Sequence, residues 1–333
     1  MKNWKETDKQ TEEYHRKIAV LAVAGICLLA GSPVMAAETE DLTLEQRVAQ
    51  LFFVTPGYQL LGSELLDLPV FIGVDEEGGR VARIANAGIM DTPHFSSMYE
   101  IGASGDPQEA YQAGKEIGVY LTELGIDTDF APVADVWSNA ENQVIGNRSF
   151  GTDSEKVAEM VTEAVRGFHD SHIRTAVKHF PGHGNTAEDS HSGFAYNYGT
   201  KEELENGEWK PFAAGIKEQS EFVMVGHICC PNIISKEIPA SLSKKLVTDV
   251  LRNEMEFNGI IITDAMDMGA VTAHYSCGEA AVQAVEAGAD MILIPENFQE
   301  AYEAVLQAVT DGRISEKQLN ESVSRILDCK KSR

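Results

Sequence analysis

Seven short runs of mainly apolar, β-branched-rich residues recur along the chain, at 51–55, 70–75, 128–133, 175–180, 222–227, 259–264 and 291–295. Most are separated by stretches with the spacing of amphipathic helices, at 107–124, 154–169, 210–219, 243–255, 278–287 and 298–309. A strand buried on both faces reads as a continuous apolar run, and regular alternation with helices implies parallel strands joined by right-handed crossovers. One large α/β domain is therefore expected. The polar residues decide between an open sheet and a closed (β/α) barrel. Asp75, Lys178, His179, His227 and Asp264 lie at or just beyond the ends of different strands, whereas an open sheet gathers its ligand at one switch point. No Gly-rich phosphate loop follows 51–55, and the glycines of DEEGGR, which begins at Asp75, lack dinucleotide spacing. The pattern predicts a TIM-like barrel and excludes a nicotinamide site.

With 333 residues, 43% of them hydrophobic, the chain can bury a substantial core, and no Pro/Ser-rich linker divides it. Residues 18–31 form an apolar run after His15, Arg16 and Lys17, and Val34-Met35-Ala36 resembles a small-residue cleavage site. The run is short for a membrane span. Residues 1–36 are expected to be a signal peptide or N-terminal anchor, with the catalytic domain at 37–333 and the protein exported, either secreted or associated with the cell envelope. Ile26 before Cys27 argues against a lipidation site. The net charge is −25, and −26 without the leader, whose five basic groups outnumber its four acidic ones. Such a surface excludes nucleic acid as a partner and is repelled by anionic polymers. Membrane contact is expected only through an uncleaved leader. Cys229, Cys230, Cys277 and Cys329 form neither a disulfide framework nor a zinc pattern, and the adjacent pair reads as buried thiols.

The densest chemistry lies at 178–191, KHFPGHGNTAEDSH, where a strand-like run empties into a Gly-rich loop. Asp189 stands two residues from His191, close enough for the carboxylate to bond one ring nitrogen and leave the other free to move a proton. Two other readings stay open: a metal site with His179, His183 and His191 as ligands, or a loop whose histidines are incidental. The run at 259–264 ends in Thr-Asp. A buried parallel strand would deliver Asp264 to the barrel mouth as a candidate nucleophile, although an aspartate there could instead cap the next helix.

Together, DEEGGRVAR, GNRSFG, KHFPGHG followed by DSH, and TDAMDM resemble glycoside hydrolase family 3, in particular its single-domain β-N-acetylhexosaminidase branch. The motifs stand in the family's order across residues 42–330. The resemblance implies a retaining glycosidase that needs no metal or cofactor and whose partner is a glycan or muropeptide. Asp264 would attack the anomeric carbon, while His191, oriented by Asp189, would protonate the leaving oxygen and then activate water. Asp75, Arg148, Lys178, His179 and, toward the leaving group, Arg83 would bind sugar hydroxyls. His183 and His227 would support the site from behind, and Asp135 and Asp267 would be structural. Family members with a second domain draw a glutamate acid/base from it; here the His loop takes that role.

The chain departs from the family in one place. Members have some forty further residues between the first strand and the strand leading to DEEGG, whereas here only 56–69 intervene. One β/α unit is expected to be missing, leaving a seven-stranded or gapped barrel. This departure makes a non-catalytic glycan-binding relic an alternative to an exo-acting β-N-acetylhexosaminidase. Another exo-β-glycosidase, acting on xylosides or glucosides, is a further alternative.

Overall fold

The computed structural model describes residues 38–55, 70–88, 90–187, 193–234 and 236–332. The expected leader lies outside them. Seven parallel strands form one curled sheet: β1 (Phe52–Phe53), β2 (Gly73–Val74), β3 (Thr128–Asp129), β4 (Arg174–Phe180), β5 (Phe222–Val225), β6 (Ile260–Ala265) and β7 (Met291–Leu293). Their order is β1-β7-β6-β5-β4-β3-β2. Chain order is thus spatial order from β2 to β7, with β1 returning to pair with β7 through Phe52↔Ile292 and Phe53↔Leu293. Among the described residues β1 and β2 do not pair. The result is a TIM-like barrel, incomplete among the described residues at a seam between β1 and β2, where the sequence places the missing unit.

Strand alternation sorts the side chains. Ala176, Phe222, Met224, Ile260, Ile262, Met291 and Leu293 belong to one apolar cluster inside the barrel. Val177, Val223, Val225 and Ile261 belong to another, beneath the helices. The two-residue period therefore places Lys178 in line with Ala176, and Asp264 in line with Ile260 and Ile262, at the C-terminal ends of inward-facing rows. At the seam, side chains take over from strand pairing. The Phe53 ring packs so closely over Gly73 that a Cβ there would lie 2.7 Å from it. Phe53 also stacks with Phe71 at 6.5 Å and meets Phe130 edge-on at 5.2 Å, while Phe71 meets Phe222 at 5.3 Å.

The outer helices begin where the sequence supplies caps. Asp106 accepts from Gln108 N at the start of Pro107–Glu123, and Asp153 accepts from Glu155 N and Lys156 N at the start of Ser154–Asp170. Residues 243–255, read as a helix, contain a π-helix at Lys245–Glu254. No helix among the described residues is long and apolar enough to cross a membrane.

Candidate active site

β2 delivers Asp75 to the mouth and leads into a short hairpin, Glu76–Gly78 against Val81–Ala82. Gly78 and Gly79 turn it at φ 87° and 60°, a region that favours glycine. Alternation then separates the two glutamates. Glu76 points back into the protein and accepts from Ile84 N at 2.7 Å, Ala85 N at 2.9 Å and the Tyr120 hydroxyl at 2.7 Å. Glu77 meets the charged groups of the site.

Those groups form one continuous chain. Lys178 Nζ, buried at the end of β4, lies 2.6 Å from Asp75 Oδ1 and 2.7 Å from Glu77 Oε1. Arg148 donates to both Glu77 oxygens, from Nε at 2.8 Å and Nη2 at 2.7 Å. The same Nη2 lies 3.4 Å from His179 Nε2, and His179 Nδ1 lies 2.7 Å from Asp135 Oδ2. Asp135 also accepts from the backbone amides of His179 at 3.2 Å and His183 at 2.6 Å. From Asp75 to Arg148 opposite charges alternate, which is how buried ions offset their desolvation. Burial raises the Glu77 pKa, but Lys178 and Arg148 outweigh it and hold the carboxyl far below its ordinary value. Burial likewise opposes the charges on Lys178 and Arg148, yet their carboxylate neighbours raise both pKa values. At neutral pH these three groups are charged. Asp75, the half-buried end of the chain, is the carboxylate that solvent reaches.

Asp264 is half-buried at the end of β6, and its Oδ1 accepts from Ala265 N at 2.8 Å. Burial pushes its pKa up, but the imidazoles of His179 and His227, the Ala265 amide and Lys178 together pull it below the ordinary carboxylate value. It is anionic at neutral pH, as a nucleophile requires. His227 backs this strand: its Nε2 bonds to Ala265 O at 2.9 Å and its Nδ1 meets Ser241 Oγ at 2.7 Å. Burial lowers the pKa of His227 and, likewise, of His183, whose Nδ1 meets Thr186 Oγ1 at 2.8 Å.

The structure thus brings together Asp75, Arg148, Lys178, His179 and Asp264, with His183 and His227 behind them. It does not bring the Arg83 side chain into this network: Arg83 is exposed, and its backbone amide bonds to Asp75 O at 3.2 Å. Asp189 and His191 lie outside the described residues. Among those described, no group of three or more His, Cys, Asp or Glu is placed to hold a metal ion. Sequence reasoning missed Glu77 although it stands inside DEEGG. A usable signal was present, since Glu77 stands two residues after Asp75 in an extended segment and so shares its face.

The profile of the glycosyl hydrolase family 3 N terminal domain matches residues 3–329. This chain belongs to glycoside hydrolase family 3. Among curated relatives, beta-hexosaminidase A of Pseudoalteromonas piscicida is 31% identical over 309 residues, covering 86% of this chain and 51% of that protein. A beta-hexosaminidase of Stenotrophomonas maltophilia (strain K279a) is 37% identical over 245 residues, 71% of each chain. A solved family 3 β-N-acetylglucosaminidase from Paenibacillus sp. str. FPU-7 superposes with a TM-score of 0.80 at 37% identity, covering 87% of this chain and 62% of that one. The chain therefore spans about half the length of the Pseudoalteromonas relative. The family assignment agrees with the seven parallel strands and with a polar network gathered at their C-terminal ends.

Proposed function

We propose that this chain is an exo-acting, retaining β-N-acetylhexosaminidase that removes terminal β-linked N-acetylglucosamine from peptidoglycan fragments or related glycans. The observation that carries the reading is the position of Asp264 at the end of β6, at the same barrel mouth as the Asp75–Lys178–Glu77–Arg148 chain. Asp264 attacks the anomeric carbon and the glycosidic C–O bond breaks. The departing oxygen takes a proton from His191, held by Asp189. Water, giving its proton back to His191, then displaces Asp264 and releases the sugar with its configuration retained. Asp75 accepts from sugar hydroxyls, while Lys178 and Arg148 donate to them through charge-assisted bonds. The preference for an N-acetyl sugar is supported by the relatives, which are beta-hexosaminidases and a β-N-acetylglucosaminidase. Asp75 bonds to Lys178 despite lying next to the seam, which favours a working site over a binding relic. Export follows from the leader reading of residues 1–36; N-terminal sequencing of the chain recovered outside the cell would find residue 37 first.

The test is hydrolysis of an aryl β-N-acetylglucosaminide, with the matching glucoside and xyloside as controls. Turnover is expected on the N-acetyl substrate and lost in a folded Asp264→Asn variant. Turnover surviving in that variant would remove Asp264 from the mechanism, and preference for either control would replace the substrate. Glycan binding without turnover in the parent chain would establish the relic. In the same assay His191→Ala is expected to slow poorly activated leaving groups more than aryl ones; equal losses would make the loop a positioning element.

A further inference from the structure

Beyond the charged network, the barrel mouth carries a run of stacked aromatic rings that the hydrolysis reading does not use. Phe194 lies flat on the exposed His274 ring, with centroids 4.0 Å apart and planes 10° from parallel. Tyr196 meets Phe194 edge-on at 6.5 Å and stacks on Tyr198 at 5.8 Å and 14°. The rings come from loops beyond the C-terminal ends of β4 and β6, which also deliver Lys178 and Asp264. Their scaffold is fixed on the β5 side. Ala195–Tyr196 pairs in parallel with Ile228–Cys229, directly beyond His227; Asn232 holds the Tyr198 carbonyl; and the Tyr196 hydroxyl donates to Glu237 at 3.1 Å. Tyr198 is nonetheless 62% exposed, an unusual state for a ring in an ordered stack.

The geometry points to an aglycone subsite on this ladder, where Tyr198, Tyr196 and the Phe194–His274 pair receive the apolar ring faces of a second and further sugar units. A flat, rigid aromatic with a polar tip matches a pyranose, whose axial C–H faces are apolar and whose rim is polar, and loses little conformational freedom on contact. The occupant is an uncharged glycan. The chain carries a net charge of −25, and Glu237 stands beside the ladder, so an aglycone bearing carboxylates is disfavoured. This inference rests on the glycosidase reading and narrows its substrates toward neutral β-linked N-acetylglucosamine oligomers.

The test is calorimetric binding to the full chain carrying Asp264→Asn, which separates it from turnover. The ligands are N-acetylglucosamine, its β-1,4-linked tetramer, and a peptide-bearing muramyl disaccharide. Adding Tyr198→Ala is expected to lower the ratio of tetramer to monosaccharide affinity about fivefold, the scale of one aromatic contact. Tyr198→Phe, which keeps the ring, is expected to hold that ratio within about twofold. The muramyl ligand is expected to bind more weakly than the tetramer. An unchanged ratio in Tyr198→Ala, or a tetramer that binds no better than the monosaccharide, overturns the subsite. Stronger binding of the muramyl ligand overturns the uncharged occupant. Absence of turnover in the parent chain alongside a Tyr198-dependent tetramer would sink the hydrolase reading and leave the subsite standing.

Discussion

Glu208 is a buried carboxyl outside the charged chain. Ser138 Oγ donates to its Oε1 at 2.9 Å and Asn197 Nδ2 to its Oε2 at 2.6 Å. Burial, aided by Asp135, outweighs both donors and pushes its pKa up to about 7. A proton held more tightly in the folded state gives stability that is full below the unfolded value of 4.5 and is lost as pH rises through about 7. Glu208→Gln mimics the protonated form, with its amide donating to Ser138 and its carbonyl accepting from Asn197. The variant's unfolding free energy relative to the parent is expected to rise with pH between 4.5 and 7, by up to about 3 kcal/mol. Thermal or urea unfolding across that window checks this; a pH-independent difference would mean that Glu208 does not titrate there. The contrast with Glu77 is instructive. Both are buried glutamates, but Glu77 faces two cations and Glu208 faces neutral donors, so their pKa values shift in opposite directions. Asp264 and Lys178 were legible because each ends a recognisable apolar run. No local pattern distinguishes Glu77 from Glu76, or signals the state of Glu208, because Arg148 and Lys178, which decide Glu77, and Ser138, which bonds Glu208, come from distant segments of the chain.

Among the elements, helices Pro107–Glu123 and Ser154–Asp170 cross where glycines remove the side chains between them. A Cβ on Gly167 would fall inside the Tyr111 carbonyl and lie 2.8 Å from Lys115 N, and one on Gly114 would lie 2.5 Å from Ala164 O. In an isolated helix Gly→Ala stabilises by about 1 kcal/mol. Here the added methyl meets backbone, which must shift, so Gly167→Ala is expected to cost about 1–3 kcal/mol. A lower urea midpoint with an unchanged slope checks it; a gain in stability would show that the helices move apart freely. Helix propensity reads Gly167 as a weakness, and only the crossing explains it. Strands at the seam are shorter than their apolar runs. The runs at 51–55 and 70–75 have the composition of full strands, yet β1 and β2 each comprise two residues, paired on one side among the described residues.

For the whole molecule, the seam decides how much an incomplete barrel can hold. Phe53 spans it, touching Gly73 and the rings of Phe71 and Phe130. Phe53→Ala removes this bridge and leaves a cavity, with an expected loss of about 3 kcal/mol, toward the low end for a core phenylalanine because the ring is half-buried. Chemical denaturation measures it, and a loss below about 1 kcal/mol would show that β1 is held by its β7 pairing alone. The sequence by itself determined the strand count, the parallel order and the arrival of Asp75, Lys178 and Asp264 at one mouth. Those outcomes depend on local periodicity and on the handedness of each crossover, which short segments encode. Tertiary structure alone decided which carboxylates are ionised, how the seam is covered and that the rings of Phe194, Tyr196, Tyr198 and His274 pack together. Each of these depends on contacts between segments far apart in the chain, and burial and Coulomb terms act only once folding has brought those segments together.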